Sequence, residues 1–509
     1  MSQTTDVEPR RRWWQKTPRS TPTDEQPAIN GNGSGKINGE KVPESSGKVK
    51  EAEKIEPVTG GDAAVKTTSK EWGYGFVVAI LVVIFGSITI ATYIILLRSQ
   101  FSVPNIIVNV SIISLLLFLF VLIARYLSLI FLSYLHHSRE KASDEYEYPL
   151  LKVSVLVPAY NEGPVIAKSV QSLLALDYPN YEIVVIDDGS KDDTLAIART
   201  MQGRQQGVYG PVEVKVLTQV NKGKSHALNH GARDATGEVV VCMDGDSKLA
   251  PETLRMAMRH FVNPKIAAVA GNVKVVNRVN LLTRLQALEY IEGLNLARRA
   301  QAFLQSVNII PGPIGLFRKT ALVEVGGWEA DTFAEDCDLT LKLITHGYKV
   351  DYEPYAISYT EAPEKLLQLL KQRYRWTRGI LQSLRKHRKY LFHPGAGWRV
   401  VGTMWQMIVE SVLWPGMNTM ANLLFIIVAI IWGMSPLIVL WWVQLTILDT
   451  IAAMHSVAME KEQLRLVPLA VIYRFFFIQL IDMAKLMATV EEMLGIKMSW
   501  GKLERVGRL

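Results

Sequence analysis

Two carboxylates one residue apart, Asp244 and Asp246, follow the apolar run VVVCM and flank a glycine. Hard oxygen ligands at that spacing suit Mg2+ or Mn2+, ions commonly shared with substrate phosphates. A second acidic set, Glu335-Asp336-Cys337-Asp338, precedes LTLKLITHGY. A carboxylate there can take a proton from an acceptor hydroxyl. Asp336 is the candidate base, with Glu335 and Asp338 as supporting or capping groups. The same acids also suit the first turn of a helix, where negative charge meets the helix dipole. The two readings are compatible, because such a helix would hold the base in place.

Two further segments offer groups for a nucleotide. Pro158-Ala159-Tyr160-Asn161-Glu162 and Asp187-Asp188-Gly189-Ser190 each close a β-branched run. Tyr160 can present a flat face to a base, and Glu162 and Asp188 can accept from uracil N–H and ribose hydroxyls. Asn, Asp and Gly are also ordinary turn formers. No GxGxxG occurs, so a dinucleotide fingerprint is not supported. In Asn221-Lys222-Gly223-Lys224-Ser225-His226 a glycine and a lysine open a helical pattern, an arrangement that favours a diphosphate. His226 reads as a packed or surface histidine. In Gln372-Arg373-Tyr374-Arg375-Trp376, Arg375 is a candidate cation for a leaving diphosphate and Trp376 a stacking face for a sugar.

The elements that must position these groups alternate. VSVLVPAY, EIVVIDDGS, VEVKVLTQ and EVVVCMDGDS read as strands, with helical spacing in GPVIAKSVQSLLAL, TLAIARTM and KSHALNHGARDA between them. Such alternation predicts a parallel sheet covered by helices on both faces. Ligands bind such sheets beyond the carboxyl ends of the strands, where the polar groups above fall. Leu366, Leu370, Ile380 and Leu384 form an apolar stripe after the sheet, opposite Lys371, Arg378, Arg385, Lys386, Arg388 and Lys389. That pattern predicts a helix lying among lipid headgroups.

Composition divides the 509 residues sharply. Residues 1–72 are polar and lack apolar runs, which predicts a disordered tail. Apolar stretches at 73–136 and 401–490 predict membrane helices: a hairpin of two before the soluble region and several after it. Arg125 is expected near one end of its span, and Arg474, Asp482 and Lys485 should face the protein interior. Residues 138–360 read as the catalytic domain, 361–400 as interface helices and 491–509 as a basic tail. Flanking Lys66, Lys70, Arg139 and Lys141 place the soluble domain in the cytosol. The net charge of +8 then speaks for a lipid bilayer, and no nucleic-acid partner is expected. Cys242 and Cys337 stand outside any CxxC or His-rich context and read as plain thiols.

Taken in order, DDG at 187–189, DGD at 244–246, ED at 335–336 and QRYRW at 372–376 resemble the processive family 2 glycosyltransferases. That group includes the cellulose, chitin, hyaluronan and poly-N-acetylglucosamine synthases. Gln372, Arg375 and Trp376 match the family's QxxRW, while Ala334 stands where the family usually has the threonine of TED. NIIPGPIGLFR resembles the family's acceptor-side loop, and EGLNLARRAQAF is closest to the poly-N-acetylglucosamine type.

The resemblance implies a GT-A fold, a Rossmann-like α/β nucleotide-diphospho-sugar transferase domain inserted between transmembrane helices. It implies an inverting hexosyltransferase of the plasma membrane that uses a UDP-sugar, UDP-N-acetylglucosamine or UDP-glucose. Tyr160, Glu162, Asp187, Asp188, Lys224, Asp244 and Arg375 would then bind the donor, and Asp244 and Asp246 the Mg2+ or Mn2+. Glu335, Gln372 and Trp376 would meet the acceptor, and Asp336 would be the base. The acceptor would be a growing polysaccharide translocated across the membrane, with an accessory secretion subunit as a further partner. The rival readings are a single-transfer enzyme making a glycolipid and a non-catalytic scaffold or transporter subunit.

Overall fold

The computed structural model describes residues 106–141, 148–432 and 436–496, with scattered positions between 80 and 94. The polar tail, most of the first apolar run and residues 497–509 lie outside the described residues.

Nine strands form one sheet in the order β3-β4-β2-β1-β5-β8-β7-β9-β6. They are β1 Val153–Ala159, β2 Tyr181–Asp187, β3 Gly203–Gly207, β4 Gly210–Thr218, β5 Val239–Cys242, β6 Ser247–Leu249, β7 Ile266–Val275, β8 Gly315–Arg318 and β9 Lys349–Thr360. The expected parallel sheet is present in β4, β2, β1 and β5. The whole sheet is mixed, which corrects the all-parallel expectation. β8 runs antiparallel to both β5 and β7, and β3 and β6 run antiparallel to their neighbours. β1, β2 and β5 are buried at almost every position, so they read as apolar runs without alternation. Ile166, Val170 and Leu173 of the helix Gly163–Leu174 pack on one side of this core.

Among the described residues two helical runs are long and apolar enough to cross a membrane, Leu117–Glu140 and Leu464–Met493. Helices Trp414–Trp432 and Pro436–Met459 cover the apolar stretches between them in sequence. Arg125 lies in the middle of the helix Ile106–Lys141, not near one end. There it forms two 2.8 Å bonds with Glu410 and lies over the Trp414 ring. Arg474 pairs with Asp449, both buried, and Asn418 donates to Asp482 at 2.6 Å, so these polar groups do face protein.

A buried ionic clamp joins the sheet domain to the helices on either side of it. Arg299, 2% exposed in its side chain, bridges Glu140 and Glu460 at 3.0 Å each. Glu460 also accepts from Asn272 of β7, and Glu462 pairs with Lys274 and Arg278.

Candidate active site

The strand ends converge because loops stitch them together. Asn161 adopts a left-handed backbone, φ 53°. Its amide donates to Ser190 and its side chain accepts from Lys191, so the first strand end is tied to the second. Tyr160 is half-buried beside this junction. Asp187 is buried and accepts from the Ser190 amide and the Thr218 hydroxyl. Gly245 packs over the first strand end: a Cβ there would stand 3.1 Å from the Pro158 carbonyl and 3.4 Å from Glu162 Cγ. Ser169 fastens the same turn by donating to the Gly245 carbonyl.

Asp188 has three specific structural partners. Its carboxylate accepts from Gln219 Nε2 at 2.8 Å and from the Lys222 and Gly223 amides at 3.0 and 2.8 Å. These bonds shape the approach to the helix Lys224–Asp234, whose cap Gly223 has φ 91°. The loop amides expected to face an anion are thus committed to Asp188. The loop reaches the site through Lys224. His226 is exposed, as a surface histidine.

Lys224 brings the two acidic motifs together. Its Nζ lies 2.6 Å from Asp244 Oδ1 and 3.0 Å from Glu335 Oε1. Burial opposes the ammonium charge, but Asp244 and Glu335 hold it protonated well above the ordinary lysine range. Gly312 closes over this contact, since a Cβ there would stand 2.7 Å from Lys224 Nζ. Asp336 adjoins Glu335 in the first turn of the helix Glu335–Thr345 and accepts from the Cys337 amide at 2.8 Å. Burial, then the Glu335 charge, lifts its carboxyl to about 6, against the pull of Lys224. Cys242 and Cys337 are buried free thiols.

Several contacts set the acidic helix. Thr340 Oγ1 donates to the Asp336 carbonyl and accepts from the Ile310 amide, linking helix and 308–315 loop. Ser225 and Asn229 of the Lys224 helix bond the Trp328 and Glu329 backbone just ahead of it. Asp338 is fully buried and pairs with His387 and Lys386 at 2.9 Å each.

The helix Leu366–Lys386 lies against this assembly. A Cβ on Gly379 would stand 2.5 Å from the Ala334 Cβ and 2.6 Å from its amide. Gln372 is buried and accepts from Arg373, which also grips Glu289 through two bonds. The Arg373 guanidinium covers the half-buried Trp376 ring at 4.2 Å, and Arg375 is half-buried.

The chain is similar in sequence to known proteins. The family described as Glycosyltransferase like family 2 matches residues 149–379. Those residues are a family 2 glycosyltransferase domain. The chain is 35% identical over 228 residues to a poly-beta-1,6-N-acetyl-D-glucosamine synthase of Staphylococcus epidermidis, covering 45% of this chain and 54% of the relative. It is 33% identical over 246 residues to one from Staphylococcus aureus, covering 48% and 58%. The chain therefore spans little more than half the length of these relatives. A mannosyltransferase of Pyrobaculum calidifontis in complex with GDP-Man and Mn2+ aligns with TM-score 0.49 and 21% identity, covering 73% of this chain and 99% of that one.

Within the glycosyltransferase domain, the residues at the DGD turn fit a divalent cation. Asp244 and Asp246 supply hard carboxylate oxygens, and Asp244 already holds a cationic group, the Lys224 ammonium. A separate acidic group, Glu329, Asp331 and Asp338, is instead neutralised by Lys386, with Lys342 also on Glu329. Three of the six residues of the basic face also pair within the fold. Arg378 and Arg385 pair with Glu492 and Lys386 with the acids just named, because acidic partners inside the fold face those positions. Sequence reasoning missed Glu289, Gln382 and Glu492, which lie far along the chain from the groups they hold. Gly379, a lone glycine inside a helical pattern, was the one local signal of close packing.

Proposed function

We propose that this chain is an inverting, metal-dependent, membrane-embedded β-glycosyltransferase. It moves a sugar from a UDP-sugar onto a growing polysaccharide on the cytosolic side of the plasma membrane. The observation that carries this reading is the Lys224 bridge between Asp244 and Glu335, with Asp336 lifted to about 6 beside it. A fixed cation, a pair of metal-ligating carboxylates and a base tuned near neutrality are what displacement of a diphosphate requires. The curated relatives, named as poly-beta-1,6-N-acetyl-D-glucosamine synthases, favour UDP-N-acetylglucosamine over UDP-glucose as donor.

In the proposed mechanism Tyr160 and Glu162 receive the uridine, while Asp187 and Asp188 hold the loops around it. Asp244 and Asp246 would hold Mg2+ or Mn2+, whose charge offsets that of the diphosphate. Gln372 and Trp376 line the acceptor side, with Glu335 beside the base. Asp336 takes the proton of the acceptor hydroxyl, whose oxygen attacks the anomeric carbon from the face opposite UDP. The bond from the anomeric carbon to the phosphate oxygen breaks, and Lys224 and Arg375 stabilise the departing UDP. An α-linked donor thereby yields a β-linked product.

The deciding experiment incubates the full chain in bilayer discs with Mn2+ and either labelled UDP-N-acetylglucosamine or UDP-glucose. UDP release is followed, and products are sized and digested with linkage-specific hydrolases. The reading expects polymer from one donor and at least about 100-fold less from Asp336→Asn. Absence of UDP release with both donors, or full activity in Asp336→Asn, would overturn it. A labelled glycolipid in place of polymer would overturn the polymerase part.

A further inference from the structure

The loop that leads into the acidic helix is held from the opposite side by a hydrogen-bonded chain. The Phe333 amide, three residues before Asp336, donates to Gln382 Oε1 at 3.0 Å. Gln382 Nε2 donates in turn to Glu492 Oε2 at 3.2 Å. Glu492 lies near the end of the apolar run Leu464–Met493 and is buried. Its other partners fix it firmly: Arg378 Nε at 2.7 Å and Arg385 Nη1 at 3.1 Å. Arg378 also donates to the Ile496 carbonyl at 2.6 Å. An acceptor held by two guanidinium groups is a rigid reference point. Gly379, three residues before Gln382 on the same side of the helix, leaves the room that lets Ala334 and its loop lie this close.

We propose that Gln382, set by Glu492 of the last apolar helix, is a positioning residue for Asp336. It touches neither substrate nor the reacting atoms. It holds the backbone at Phe333, so that Asp336 meets the acceptor hydroxyl at one distance and angle. The last apolar helix, the RYRW helix and the base turn thus behave as one hydrogen-bonded unit. This rests on the transferase reading above. It adds that a group far from the DGD turn, reached through the membrane-side helix, controls the chemical step. A misplacement of about 1 Å at a reacting group can cost ~100-fold in rate.

The test uses the full chain in bilayer discs, with four variants: Gln382→Leu, Gln382→Glu, Glu492→Gln and the double Gln382→Glu/Glu492→Gln. Steady-state UDP release from UDP-N-acetylglucosamine with Mn2+ gives kcat and KM. Hydrogen exchange of the segment 329–336 reports on the Phe333 amide directly. Gln382→Leu should lower kcat about 10- to 100-fold with donor KM within about twofold, and should speed exchange at Phe333. Gln382→Glu and Glu492→Gln should each lower kcat. The double variant should recover most of it, because the acceptor for Phe333 is kept and positions 382 and 492 again share one carboxylate and one amide between them. Unchanged kcat and exchange in Gln382→Leu would overturn the proposal, as would a double variant no better than the product of its singles. If the wild type releases no UDP, the transferase reading fails on its own, and the exchange measurement still decides the Phe333 link.

Discussion

Gly379 and Ala334 touch so closely that no side chain fits between them, with 2.5 Å separating the Ala334 Cβ from a Cβ built on Gly379. Ala334 stands where the family usually carries threonine, and this contact gives the small residue a reason. Gly379→Ala should therefore force the RYRW helix away from the base turn. Overpacking costs about 1–3 kcal/mol, more than the ~1 kcal/mol that alanine returns in a helix. We expect a lower melting temperature and a lower kcat, read by thermal unfolding in detergent and by UDP release.

Asp336 must be ionised to accept a proton. Its carboxyl is held up to about 6, so the active form accumulates as pH rises. Activity should climb through about pH 6 and flatten above ~7, one unit past the titration. Asp336→Asn should lose about 10²- to 10⁴-fold in kcat. A pH–rate profile with no inflection between these values would contradict the role.

Lys224 offsets negative charge around Asp336, and in the proposed mechanism it also holds the donor. Lys224→Met leaves Asp244, Glu335 and Asp336 facing one another without their shared cation. The midpoint of the pH–rate profile should move upward, because the neutral form of Asp336 is then favoured further. Donor KM should rise about 10- to 100-fold, matching the ~1.5–3 kcal/mol of a hydrogen bond to a charged group.

Chelation should stop UDP release, and Mn2+ or Mg2+ should restore it. Asp246→Asn should raise the metal concentration needed for half-maximal activity by ~10-fold or more, measured by titrating Mn2+ at saturating donor. Activity that survives exhaustive chelation would remove the DGD turn from the metal account.

Arg299→Met tests the buried clamp. It leaves Glu140 and Glu460 buried without the guanidinium between them. Removing one partner of a buried pair costs about 3–5 kcal/mol. The variant should unfold at lower temperature, and Arg299→Met/Glu140→Gln should recover part of the loss.

The strands that carry the DDG and DGD motifs were legible because they are continuous apolar runs that end in acids. The helix after ED was legible from its periodicity and its acidic first turn. The reversal of β8 was not, because Gly315–Arg318 is four residues long and strand direction leaves no mark in so short a run. β3, Gly203–Gly207, was missed because its GRQQG sequence carries no apolar alternation. The partners of the basic helix were hidden for a related reason. Arg378 and Lys386 meet Glu492 and Asp338, each remote in sequence. Gln382 and Glu492 are 110 positions apart, a separation that periodicity cannot report.

The clamp at Arg299 and Glu460 also limits how the molecule can be divided. Asn272, Lys274 and Arg278 of the sheet domain all find partners on the short turn at Glu460 and Glu462. A water-soluble fragment trimmed before residue 401 would carry those three groups, and Arg299, with their partners Glu460 and Glu462 cut away. The sheet domain is thus no detachable module: its charge balance is completed by the turn at Glu460 and Glu462, which follows the helix Pro436–Met459.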